Sequence, residues 1–157
     1  MPRKYDSTER FMRPDPVYTS RLASKLINCL MEDGKKTRAE HVFYSAMRIV
    51  KEKVTEVEPM DVVNQALENI KPRIEVRSKR VGGATYQVPM EIKKGRQQTL
   101  AVRWLLEAAR KKKGKPMGNR LAEEFLAAYK NEGEAVTTKE NVHKMAEANK
   151  AFAHFAW

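Results

Sequence analysis

The sequence predicts a mainly α protein: a six-helix, bundle-like domain, one two-stranded β-hairpin protruding between helices three and four, and an extended N-terminal arm. Three observations predict it. Apolar residues recur at helical spacing in six separate stretches. That spacing changes to an alternation of two between Pro72 and Pro89, with Gly82-Gly83 at its centre. Residues 1–18 hold Pro2, Pro14 and Pro16 among interleaved charges, with little apolar periodicity. The expected organisation is an extended arm over 1–18 and one helical domain over 19–157, with the hairpin at about 73–89. A chain of 157 residues buries roughly two-thirds of its unfolded surface, enough for a core without covalent or metal staples.

Thr19 or Ser20 caps the first helix, which places Leu22, Leu26, Ile27 and Leu30 on one face and stops at Gly34. Thr37 and Glu40 have the spacing of a capping box, so the second helix starts there and buries Phe43, Ala46, Met47, Val50 and Val54. Pro59 suits the first position of the third helix, whose apolar face is Val63, Ala66, Leu67 and Ile70. Pro72 stops it. Ile74 and Val76 then alternate with Arg73, Glu75 and Arg77, and Ala84, Tyr86 and Val88 alternate on the return. A lone two-stranded ribbon is marginal in water, so this one must lean on the helices or on a partner. The fourth helix runs roughly from Gln97 to Lys111, with Leu100, Ala101, Trp104, Leu105 and Ala108 inward. Gly114-Lys115-Pro116 breaks the chain. The fifth helix uses Leu121, Ala122, Phe125, Leu126 and Tyr129 and ends by Gly133; a second capping box, Thr137 and Glu140, opens the sixth. The tail from Ala151 to Trp157 is apolar and aromatic for an exposed end.

Charge is the strongest global signal. There are 31 Lys and Arg against 20 Asp and Glu, a net of +11. Between Pro72 and Asn119 stand 13 basic and three acidic residues, +10, which leaves +1 for the other 109 residues. A cationic face so concentrated attracts a polyanion and releases its counterions. Arg96, Arg103 and Arg110 recur every seven residues; at about 100° per residue they form one stripe along the fourth helix. Glu107 is placed to pair with Arg103, which leaves most of the stripe unpaired. The hairpin carries Arg73, Arg77, Lys79 and Arg80. Lys35, Lys36 and Arg38 surround the turn into the second helix, where backbone amides point the same way. Arg110 to Lys113 with Lys115 make a basic loop. Such a run also suits nuclear import, a weaker reading than RNA contact.

Enzyme chemistry finds no local support. His41, His143 and His154 stand too far apart for a local ligand pair, and no metal or other cofactor is expected. Glu40 and Glu123-Glu124 sit where helix starts favour carboxylates. Cys29 is alone, excluding an intramolecular disulfide, and reads as a small apolar filler of the first helix. Gly82-Gly83 lacks the Lys-Ser/Thr pair and following helix of a phosphate-cradling loop. No run approaches the roughly eighteen apolar residues of a membrane span, and Met1 to Asp6 hold no apolar run of a secretory signal. A free-standing nucleic-acid-binding regulator is the alternative function; an RNA-modifying enzyme would need a cofactor site that the sequence does not show.

Four blocks carry a family resemblance. Lys71-Pro-Arg-Ile-Glu-Val-Arg-Ser-Lys-Arg-Val-Gly-Gly-Ala-Thr-Tyr-Gln-Val-Pro89 closely resembles the hairpin of the small ribosomal subunit protein seven family. Asp33-Gly-Lys-Lys-Thr-Arg-Ala-Glu40 resembles its early turn, Leu100-Ala-Val-Arg-Trp-Leu105 its fourth helix, and Met145-Ala-Glu-Ala-Asn-Lys-Ala-Phe-Ala-His154 its C-terminal run. The length resembles the bacterial and plastid forms. Residues 6–13 are more acidic than the family's basic arm.

The resemblance implies a structural, non-enzymatic protein that binds the 3′ major domain of small-subunit ribosomal RNA and nucleates assembly of the subunit head. It implies a place at the subunit interface near the exit-site tRNA and the mRNA path, in contact with small-subunit proteins nine and eleven, with no homo-oligomer. Some members also repress their own mRNA. By position, Lys35, Lys36, Arg38, Arg73, Arg77, Arg96 and Arg103 would contact ribosomal RNA, to which Lys79, Arg80, Arg110, Lys111, Lys113, Lys115 and the arm residues Arg3, Lys4 and Arg10 are added. Val81, Gly82, Gly83 and Ala84 at the hairpin tip, with Met145 and Asn149, would lie near tRNA and mRNA. The implied location is the ribosome in a bacterial cytoplasm, the plastid stroma being the alternative.

Overall fold

Ser20 opens the first helix, α1 (Arg21–Leu30), by accepting a hydrogen bond from the Ala23 amide at 3.4 Å, which satisfies one of the orphan donors of a helix start. The computed structural model describes residues 11–155. There follow α2 (Lys36–Lys53), α3 (Pro59–Ile70), the strands β1 (Ile74–Val81) and β2 (Ala84–Glu91), then α4 (Lys94–Lys111), α5 (Met117–Tyr129), α6 (Glu134–Ala148) and a 3₁₀ segment, Lys150–Phe155. Arg3, Lys4 and Arg10 lie outside the described residues.

The core grows from the predicted stripes. Phe43, Met47 and Val50 of α2, Val63, Ala66 and Ile70 of α3, Leu105 of α4 and Leu121 and Phe125 of α5 are all buried in one cluster. The fifth helix is central, packing against α2, α3 and α4. Gly118 permits its approach to α2, because a Cβ there would stand 3.2 Å from Ser45 Cβ. The segment before α1 is bolted down. The Asp15 carboxylate, 3% exposed, accepts from the amides of Val17 and Tyr18 and from the Tyr44 hydroxyl at 2.6 Å. Burial, then the bond to Asp15, raises the Tyr44 pKa well above the ordinary phenol value.

Several expected boundaries move. The first helix stops at Leu30, not Gly34: Met31 turns extended, and Asp33 and Gly34 form a separate turn at positive φ. Neither capping box forms. The second helix starts at Lys36 with Lys35 as its uncapped N-cap, and α6 starts at Glu134 after Gly133. The Thr137 and Thr138 hydroxyls instead donate back to the Gly133 and Glu134 carbonyls. The α6 start is capped from outside itself, since the Ala135 amide donates to Glu124 Oε1 at 3.0 Å. Glu123 and Glu124 therefore lie in the middle of α5, not at a helix start. The fourth helix begins at Lys94, earlier than Gln97. Trp104 is only half-buried, and Cys29 is exposed rather than a filler.

The ribbon has positive φ at both Gly82 and Gly83, as a two-residue hairpin loop requires. Its register pairs Val76 with Pro89, Arg77 with Val88 and Lys79 with Tyr86. Ile74 and Val76 thus share a face with Pro89, while Tyr86 and Val88 share the opposite face with Glu75, Arg77 and Lys79. The inward row is the one holding buried Glu75 and Val88; Ile74 is exposed. The tail is what covers it. Tyr86 packs on Phe152 and Phe155 with ring centroids 5.1 and 5.2 Å away, and Lys79 Nζ donates to the Phe155 carbonyl at 2.7 Å. The ribbon leans on α6 through β1 and on the 3₁₀ segment through β2.

Candidate nucleic-acid interface

Cations remote in sequence converge on the face formed by the α1–α2 turn, α4 and the start of α5. A cleft of about 360 Å³ is lined by Lys35, Arg38, Arg110 and Arg120. A second groove, between α1 and α4, is lined by Lys25, Arg103 and again Arg110. Arg110 lines both; the cleft also holds Glu32 and Asp33 and the groove Glu107, so cations outnumber acids by two in each. Lys113 and Lys115 stand exposed in the loop after α4. Loop geometry is held by Arg120, whose Nη1 donates to the Lys112 carbonyl at 2.5 Å and to that of Arg110 at 3.5 Å. Those carbonyls are the unsatisfied acceptors at the end of α4.

The expected unpaired stripe is corrected. Only Arg103 of the three lacks a carboxylate among the described residues, and Glu107 does not pair with it. Arg96 contacts Glu75 at 3.3 Å and Arg110 contacts Glu32 at 3.3 Å. Counting acids at i±4 along one helix misses carboxylates delivered by other elements. Lys35 pairs with Asp33, Lys36 with Glu40, Arg77 with Glu75, Lys111 with Glu134 and Lys115 with Glu123. Apart from those at Glu75, whose carboxylate is nearly covered, these are exposed pairs, and exposed pairs contribute only about 0–1 kcal/mol. A phosphate can displace them. Among the described residues, Arg38, Arg73, Arg80, Arg103 and Lys113 have no acidic partner, and all five are exposed.

The ribbon presents a second basic surface. Val81 to Ala84 form its tip, with Gly82, Gly83 and Ala84 exposed. The flanking helix α6 carries exposed Met145, and Asn149 caps its end by donating to the Met145 carbonyl at 2.8 Å. At the ribbon base, the Arg73 amide donates to His143 Nε2 at 3.2 Å, which places the neutral ring's proton on Nδ1. Burial, then Lys139 and Arg73, lowers the His143 pKa. The contribution of this bond is present above the unfolded pKa of about 6.5 and is lost as the pH falls through the lower native value. Nuclear magnetic resonance titration from pH 7 downwards should show the Arg73 amide and the His143 ring titrating together; an Arg73 amide that ignores the His143 transition would refute the clamp.

Among the described residues, no three His, Cys, Asp or Glu side chains are grouped to hold a metal, and no helix is long and apolar enough to cross a membrane. The sequence gives no sign of what Glu75 and Arg120 do and misplaces Glu124 at a helix start. Each reaches an element other than its own, Glu75 to Arg96 of α4, Glu124 to the start of α6 and Arg120 to the end of α4, and no local spacing announces that.

The sequence profile of the family described as ribosomal protein S7p/S5e matches residues 2–150. The chain belongs to that family. Small ribosomal subunit protein uS7 of Rhodopirellula baltica is 63% identical over 144 residues, covering 91% of this chain and 92% of the relative. The uS7 proteins of Thermotoga neapolitana and Pelagibacter ubique are 54% and 52% identical, covering 99% and 100% of both chains. Family membership makes this a structural, non-enzymatic protein of the small ribosomal subunit. Its likeness is to bacterial relatives.

Proposed function

We propose that the chain binds the 3′ major domain of small-subunit ribosomal RNA directly and nucleates folding of the subunit head. The observation that supports this most is the convergence of Lys35, Arg38, Arg103, Arg110 and Arg120 from three chain segments on two grooves that share Arg110. Helical RNA closes its deep groove to side chains and is recognised by shape and backbone. A rigid helical scaffold with cations at fixed separations suits that task. The ribbon's Arg73, Arg77 and Arg80, with Arg96, Lys111, Lys113 and Lys115, extend the contact surface, as do Lys36, Lys79 and the arm cations. In this reading the tip at Gly82-Gly83 and the Met145 to Asn149 stretch approach the exit-site tRNA and the mRNA path. Small-subunit proteins nine and eleven are the neighbours, and the assembled ribosome of the bacterial cytoplasm is the location.

Chemical footprinting on naked small-subunit ribosomal RNA tests the reading. Protection confined to the 3′ major domain is the expected result. Protection elsewhere, or none at a protein concentration that saturates binding, would overturn it.

A further inference from the structure

The inward row of β1 reads Glu75, Arg77, Lys79, and its one acid is nearly covered, with 12% of the side chain exposed. Glu75 Oε1 accepts from Arg77 Nε at 2.5 Å, and Arg77 Nη2 lies against the same oxygen. Glu75 Oε2 accepts from Arg96 Nε at 3.3 Å. Arg77 belongs to the ribbon and Arg96 to the first turn of α4. One carboxylate therefore gathers a guanidinium from each of two elements and leaves the trio with a net positive charge.

Neither arginine is used up. A guanidinium has five N–H donors in a fixed plane; Arg77 engages Glu75 through two of its nitrogens and Arg96 through one. Their side chains are 48% and 42% exposed, so neither arginine is closed off from solvent. Two guanidinia held on the two oxygens of one carboxylate bring two planar forks to one place, and a phosphate has the several oxygens to take both. Their rotamers are also set before RNA arrives, which removes that ordering from the cost of binding.

We propose that Glu75 is a positioning residue: it holds Arg77 and Arg96 as one fork that takes a single RNA phosphate and ties the ribbon to α4 at that point. The inference rests on the RNA-binding reading above. It opposes the simpler view that Glu75 only neutralises charge, and the two views differ in sign.

The test measures binding of the full chain to a transcript of the 3′ major domain of small-subunit ribosomal RNA, across a salt series. If Glu75 merely neutralised charge, Glu75→Gln would bind more tightly. As a positioning residue its loss weakens binding roughly tenfold, the cost of re-ordering two long side chains, with the salt slope unchanged. Unchanged or tighter binding overturns the proposal. A second series needs no change at Glu75. Arg77→Gln and Arg96→Gln singly should leave the slope nearly as it was, because the other arginine still holds the phosphate; together they should lower it by about 0.7–0.9, the value of one phosphate. Single variants that each lower the slope by that amount mean two separate phosphates, and the fork is wrong. Wild-type protein that does not bind the transcript at all defeats the RNA reading itself, and the fork with it.

Discussion

Glu124→Ala is expected to destabilise the protein by about 3 kcal/mol, near the low end for breaking a buried ion pair by removing one partner. The carboxylate is fully buried. Its Oε1 accepts from the Ala135 amide, and its Oε2 lies 2.8 Å from Lys112 Nζ in a charge contact whose angle is poor for a hydrogen bond. Truncation leaves that amide unmet, strands Lys112 beside a cavity and uncaps α6. The low end applies because Lys112 is 31% exposed and regains water. For a chain of this size a loss of that order lowers the melting temperature by roughly 6–12 °C. Glu124→Gln is the informative contrast. Its amide oxygen still accepts from Ala135, while the charge contact goes and the new NH2 faces Lys112, which is part exposed and can turn to water; the expected loss is about 1 kcal/mol. Urea unfolding of both variants decides the matter: equal losses would show that the cap at Ala135 contributes nothing and that the charge contact carries the whole effect.

Glu124 also shows where local reading of a sequence stops. The six helices were legible because each buries a stripe, and stripes leave a period in the sequence. Their starts were not. The spacing of Thr37 with Glu40 and of Thr137 with Glu140 fits a capping box, yet α6 begins earlier because Glu124, on the preceding helix, supplies its cap. The ribbon's alternation was legible, but its inward face was not. Ile74 and Val76 are the more apolar row of β1. The row that is covered is nonetheless that of Glu75, because α4 brings Arg96 to its carboxylate and the tail brings Phe152 and Phe155 onto Tyr86. Partners remote in the chain outvoted local hydrophobicity at each of these places. The same limit applies to the site. The density of cations between Pro72 and Asn119 stands in plain view, whereas the meeting of Lys35 and Arg38 with Arg110 and Arg120 depends on how α5 seats between α2 and α4.

That meeting leads to the largest expected effect on binding. Replacing Arg38, Arg103 and Arg110 together with Gln should lower the salt slope of RNA binding by about 2–3, at 0.7–0.9 for each phosphate no longer neutralised. The three are chosen because folding depends on none of them. Arg38 and Arg103 are exposed and have no acidic partner among the described residues. Among the described residues, Arg110 has an exposed pair with Glu32 and a long bond of 3.5 Å to the Cys29 carbonyl, together worth little to stability. Thermal unfolding should therefore stay within about 1 kcal/mol of the parent, as surface substitutions usually do. Affinity should fall steeply at low salt and hardly at all at high salt, where counterion release no longer drives binding. A triple variant that keeps the parental slope would mean that RNA does not enter the two grooves that share Arg110. The cations would then have to act from the ribbon and the loop after α4, and the grooves would lose their claim to be the interface.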